Sequence, residues 1–242
     1  MSDFYIGYLD KAPENIRRFV RRIVGGLACL AITFALLLVL AQMPFANSTF
    51  EYGNVRDFAG VVVVRPYPTL LVSRPGANGE SSRYLLVAPG KHGVDLAMFD
   101  GKRVHLKGQL IYRSGETMVE VMPNTVVVEG GSQTITTQSV DLGRATLTGE
   151  IVDSKCYLGV MNPGGGKVHR DCAGRCLSGG IPPLFVTSDG GQQLLLVAPD
   201  GTAISREILK DFVAERITLN GELLQQGDSK LLEIDPQALY HQ

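Results

Sequence analysis

Arg103-Val104-His105-Leu106-Lys107-Gly108-Gln109-Leu110 is answered later in the chain by Arg216-Ile217-Thr218-Leu219-Asn220-Gly221-Glu222-Leu223. Both octets alternate polar and apolar side chains, the period of a strand with one buried face. Both carry glycine at the sixth place, where a strand can coil tightly or let another backbone approach. Three more blocks repeat in the same order. Ala59-Gly60-Val61-Val62 answers Thr148-Gly149-Glu150-Ile151, and Leu85-Leu86-Val87-Ala88-Pro89 answers Leu195-Leu196-Val197-Ala198-Pro199. Met118-Val119-Glu120-Val121-Met122-Pro123 answers Leu231-Leu232-Glu233-Ile234-Asp235-Pro236. Four blocks in one order mark an internal duplication, with polar residues 131–144 as the connector between copies.

Within the first copy, 61–64, 84–88, 104–112, 118–121 and 125–128 read as strands, and 94–99 as one or two helical turns. In the second copy, 147–152, 184–187 and 194–198 are strand-like. Residues 204–214 have helical spacing with Ser205 as N-cap, and 216–225 with 230–234 read as a closing hairpin across Gly227-Asp228. Strands, a short helix, then two strands is an order that resembles the OB-fold, a five-stranded Greek-key barrel. The expected fold class is therefore mainly β: one N-terminal transmembrane helix, then two tandem small OB-like barrels, each with a short helix. The expected boundaries are a cytoplasmic segment 1–22, an anchor 23–43, a linker 44–58, a first barrel 59–130, a linker 131–144 and a second barrel 145–242.

The anchor rests on residues 23–43, which contain no charge and at about 1.5 Å per residue can span a hydrocarbon layer of roughly 30 Å. Lys11, Arg17, Arg18, Arg21 and Arg22 precede it, so the positive-inside rule places the N-terminus in the cytoplasm. The run is longer than a signal-peptide core and lacks a small-x-small cleavage site. The expected location is a bacterial inner membrane, single-pass, with both barrels on the periplasmic side. A net charge of −1 excludes the basic stripe of a general nucleic-acid binder.

The copies differ at one place. Relative to the first, the second carries about two dozen extra residues, aligned by matching Pro75-Gly76 with Pro163-Gly164. His169, Cys172 and Cys176 lie in that insertion, and Cys156 lies just before it, opposite Tyr67. The first copy has no cysteine, so the barrel does not need these side chains. Three readings stand side by side. Cys156, His169, Cys172 and Cys176 form a four-ligand set for structural zinc, with Met161 as a further soft donor. A disulfide among Cys156, Cys172 and Cys176 suits an oxidising compartment. The third is a copper or thiol-redox site, since thiolate and thioether donors suit copper(I). The Cys172-x3-Cys176 pair with His169 and Met161 nearby resembles the ligand sets of copper A centres and of copper chaperones for cytochrome oxidase assembly. Here the His and Met precede the cysteines, whereas in copper A centres they follow.

Asp153, Lys155, Arg170 and Asp171 read as solvated loop charges, His105 as a half-exposed sheet residue, and Gly179 to Pro183 as a turn into the next strand. No phosphate-binding loop, haem-attachment motif, nucleophile elbow or carboxylate pair is present. The chain is thus expected to be no enzyme but an extracytoplasmic accessory subunit of a larger membrane complex, respiratory or redox in kind, with the Cys/His loop as a metal or disulfide staple. The alternatives are a copper-binding or thiol-redox protein of metal delivery, cofactor assembly or electron transfer, and a module binding oligosaccharide or peptide. Expected partners are the membrane and membrane proteins.

Overall fold

A computed structural model describes residues 12–42, 48–73, 81–132 and 139–241. It divides into two units, 1–46 and 47–242. The first holds helix α1 (Glu14–Gln42). Its Glu14–Ala41 segment is long and apolar enough to cross a membrane; a signal sequence has the same properties.

The second unit contains two closed five-stranded barrels in tandem, each with a helix nearby. The first is built from β1 (Ser48–Val63), β2 (Thr69–Ser73), β3 (Ser81–Val87), β4 (Lys102–Arg113) and β5 (Glu116–Val121), in the cyclic order β1-β2-β3-β5-β4-β1. A sixth strand, β6 (Val127–Ser132), pairs with β4 outside the ring. The second barrel uses β7 (Ser139–Asp153), β8 (Pro183–Thr187), β9 (Gln193–Val197), β10 (Arg216–Gln226) and β11 (Ser229–Glu233), closed as β7-β8-β9-β11-β10-β7. In each, the third and fifth strands run parallel and the other pairings are antiparallel. This is the connectivity of the OB-fold.

The duplication holds at the level of register. Leu85 pairs with Met118 in the first barrel and Leu195 with Leu231 in the second. Gly60 pairs with Val104, and its counterpart Gly149 with Ile217. The repeated glycines mark close approaches. A Cβ on Gly60 or Gly149 would run into the carbonyl of Leu71 or Val186 on the neighbouring strand, and one on Gly108 or Gly221 into that of Glu120 or Glu233.

Several elements differ from the sequence reading. β1 begins at Ser48, so part of the expected linker is strand: residues 48–50 and 55–58 pair with β4 around an irregularity. Backbone pairing, with most side chains of this stretch exposed or half-buried, carries no hydrophobic pattern to read. β2 is short and lies behind Pro66 and Pro68, which hid it. The helical pieces are shorter than expected, a single turn at Ala97–Phe99 and α3 at Arg206–Leu209. Ser205 precedes α3, but its side chain makes no capping bond; its carbonyl accepts from Leu209 instead. Beyond α3 the chain is held to the barrel by a bridge between Val213 and Ile151.

The barrels share a core. Val62, Leu70, Leu86, Val104, Leu106 and Val119 fill the first interior, and Ile151, Phe185, Leu194, Leu196, Leu219 and Leu232 the second. The alternate positions on the same strands face outward and meet each other: Leu85, Val87, Ile111 and Met118 pack with Val152, Leu184, Val186, Leu195, Val197 and Leu231 in one cluster. Strands buried on both faces read as continuous apolar runs, which is why Leu194 to Val197 lacks alternation. Tyr67 Oη donates to the Leu196 carbonyl at 2.9 Å across this seam, and burial raises its pKa. Lys155 and Glu120 form an ion pair there, their side chains 3% and 9% exposed.

Candidate metal centre

The insertion lies between the first and second strands of its barrel. The link from β7 to β8 covers residues 154–182, whereas β1 to β2 needs only 64–68. This corrects the sequence alignment: Pro163-Gly164 precedes β8, and Pro75-Gly76, which lie outside the described residues, follow β2. Pro-Gly pairs recur wherever a chain turns, so that match carried no register.

The link starts under the control of Asp153, the last residue of β7. Its fully buried carboxylate accepts the Cys156 N–H through Oδ1 at 2.8 Å and faces His169 Nε2 through Oδ2 at 3.1 Å. One wide helical turn spans Cys156–Val160, a tighter one Lys167–His169, and then helix α2 runs over Arg170–Gly179. Cys172 and Cys176 are one turn apart on α2 and share a face. Gly180, in the left-handed region at φ 103°, stops the helix and donates to the Leu177 carbonyl at 3.0 Å, while Ile181 N–H returns to the Cys176 carbonyl at 3.0 Å. Such a C-terminal cap lets the chain reverse into the next strand.

The result is a convergence of three sulfurs. The Sγ atoms of Cys156, Cys172 and Cys176 lie within 4.8 Å of one another; Cys156 and Cys176 are buried and Cys172 is half-buried. All three are free thiols, so no disulfide joins them. Thiolates bound to zinc at about 2.3 Å stand roughly 3.8 Å apart in a tetrahedron, so the three donors fit a soft metal ion. Asp153, Cys156 and His169 form a second set of the same compactness that shares Cys156. His169 falls in that second set, beside Asp153, and the compact set of three sulfurs does not include it. Met161, at the end of the first turn, is 45% exposed.

The first barrel contributes to the site. Its loop after β3 brings Lys91 Nζ within 2.6 Å of Cys172 Sγ and 3.8 Å of Cys176 Sγ. The loop is held by Lys155, whose ammonium donates to the carbonyls of Ala88 at 2.9 Å and Gly90 at 2.7 Å, and by Gly93 N–H, which donates to the Gly179 carbonyl at 2.9 Å. The thiols are not equivalent. A hydrogen bond from Cys156 lowers the pKa of Cys176, and Lys91 adds to the effect, whereas that same bond and burial raise the pKa of Cys156. Lys91, bonded first to Cys172, has its own pKa raised.

Sequence reasoning missed Lys91, which sits 65 or more residues before the cysteines and in the copy without them. It also misread Asp153 and Lys155: they are 0% and 3% exposed, Asp153 against Cys156 and His169 of its own insertion and Lys155 against Ala88, Gly90 and Glu120 of the sister barrel. Arg170 and Asp171 are exposed as expected, Arg170 pairing with Glu215 at 2.6 Å. His105 faces Asp57 at 3.3 Å on the barrel surface and belongs to neither donor set.

No protein-family model, curated protein or solved structure matches the chain. Fold and site therefore define a class only: a double OB-fold barrel protein with one apolar N-terminal helix and a three-cysteine cluster at the seam between the barrels.

Proposed function

We propose that the protein is a membrane-tethered, extracytoplasmic accessory subunit of a larger membrane complex, and that its three-cysteine cluster binds a soft metal ion, zinc or copper, as a staple at the barrel seam. The helix serves as an uncleaved anchor in a bacterial inner membrane, with the N-terminus in the cytoplasm and both barrels in the periplasm. The observation that carries the metal reading is the mutual approach of the Cys156, Cys172 and Cys176 sulfurs within 4.8 Å, as free thiols. A 29-residue link, 154–182, has little core of its own, and a metal bound to folded-state thiolates adds its binding energy to folding. Metal analysis of the full chain, purified in mild detergent without chelator, tests this together with a thiol count. One metal per chain, lost on Cys172→Ser/Cys176→Ser, supports it. A metal-free protein with an intact disulfide refutes it. Elution as a lone chain under the same conditions counts against the subunit role.

A second reading, metal delivery or electron transfer, draws support from Cys172, which is half-exposed and so reachable by an exchange partner. The binding of oligosaccharide or peptide is not adopted. The outward sides of β8, β9 and β11 are buried against the sister barrel, which removes a broad part of the surface that OB barrels offer to ligands.

A further inference from the structure

We propose that the cluster is built for a monovalent soft cation, copper(I) in charge and coordination, and that Lys91 of the first barrel is the residue that sets this preference. The inference rests on the metal reading above and adds the class of ion. Three sulfurs form the compact set, while His169 is turned to Asp153 and belongs to a different one. A compact set of three sulfurs, with no fourth Cys, His or carboxylate in the same set among the described residues, suits the low coordination of copper(I); zinc prefers four.

Charge points the same way. An ammonium 2.6 Å from one ligand sulfur and 3.8 Å from a second stands almost in the coordination shell. It repels a bound divalent ion twice as strongly as a monovalent one. The other charged groups near the sulfurs are Lys155, which is paired with Glu120, and the buried Asp153 carboxylate, which faces His169. The Lys91 ammonium is directed at the two sulfurs, and its loop is fixed from below by Lys155 and from the side by α2. A Cβ on Gly179 would collide with the Lys91 carbonyl, so the loop and the cysteine helix are fitted to each other.

The test compares silver(I), a redox-inert stand-in for copper(I), with zinc(II) by competition titration on the full chain in detergent under reducing, anaerobic conditions. The readout is the ratio of the two dissociation constants. Lys91→Met removes the charge and keeps the length. It is expected to shift the ratio toward zinc by about five- to tenfold, the effect of one unit charge near the aqueous limit of screening. Lys91→Arg keeps the wild-type ratio. A ratio unchanged in Lys91→Met, or a zinc complex in which His169 is a fourth ligand by X-ray absorption, overturns the proposal. If wild-type protein binds neither ion, the metal reading itself fails, and that outcome is distinct. Circular dichroism of each variant verifies that the barrels are folded.

Discussion

The guanidinium of Arg113 lies 4.0 Å over the ring of Tyr157 and donates from Nη1 to the Tyr157 carbonyl at 3.0 Å. Arg113 ends β4 of the first barrel, and Tyr157 belongs to the first turn of the second barrel's insertion, one residue after Cys156. The stacking face and the hydrogen bond hold that turn to the first barrel. Arg113→Ala removes both and leaves a carbonyl at the seam without its donor. The expected cost is about 2 kcal/mol, read as a change in the denaturant midpoint of the full chain. Arg113→Lys recovers part of it, because a lysine keeps charge without the planar stacking surface.

The Lys155–Glu120 pair gives a sharper asymmetry. Both side chains are buried, and the lysine also donates to two carbonyls of the Lys91 loop. Glu120→Ala strands an ammonium in the seam and is expected to cost about 3–5 kcal/mol. The double change Lys155→Met/Glu120→Leu restores packing volume without charge and is expected to come closer to wild type. Equilibrium unfolding of the three proteins decides the matter: equal losses in the single and double variants contradict the pairing.

The sequence carried the fold further than the site. The duplication was legible because Gly60, Gly108, Gly149 and Gly221 occupy close strand crossings that admit no side chain, so both copies keep them. Strand order then followed from the OB-like sequence of elements. The cysteines were legible as a group, since they stand in one insertion. Asp153 was not, because only the folded insertion brings Cys156 and His169 to it; nor were Lys91 and Lys155, whose roles come from barrel-to-barrel packing. That contact buries the outward faces of β3 and β9, and nothing in either copy alone says which outward face is covered.

Acid–base behaviour follows from the far end of the seam. Burial pushes the pKa of Glu116 up to about 7 from an ordinary 4.5, although a hydrogen bond from Ser229 opposes the rise. Its carboxyl group holds a proton more tightly in the folded chain than in the unfolded one. The associated stability is fully present below about pH 4.5 and is lost as pH rises through about 7. The loss is up to about 3 kcal/mol, since each tenfold gain in proton affinity corresponds to roughly 1.4 kcal/mol. Urea unfolding between pH 4.5 and 7.5 is expected to show it, and Glu116→Gln to flatten the slope. A wild-type slope that survives Glu116→Gln assigns the effect to another group.

Gly179 joins the two barrels at the site. A methyl group there meets the Lys91 carbonyl, so Gly179→Ala is expected to push the Lys91 loop off α2 and to lose the hydrogen bond from Gly93. The loss expected is about 1–3 kcal/mol, with faster alkylation of Cys172 as the local readout. Gly174→Ala, on the same helix with open space around it, serves as the control and leaves both measurements near wild type.

Everything proposed for the site turns on Cys156, Cys172 and Cys176 holding one metal ion together. X-ray absorption at the edge of whatever metal accompanies the full-length protein measures this most directly. Three sulfurs are expected as the ion's nearest neighbours, reduced in number by each single Cys→Ser change. Nearest neighbours of oxygen and nitrogen alone, or a protein free of metal whose cysteines are joined in a disulfide, contradict it.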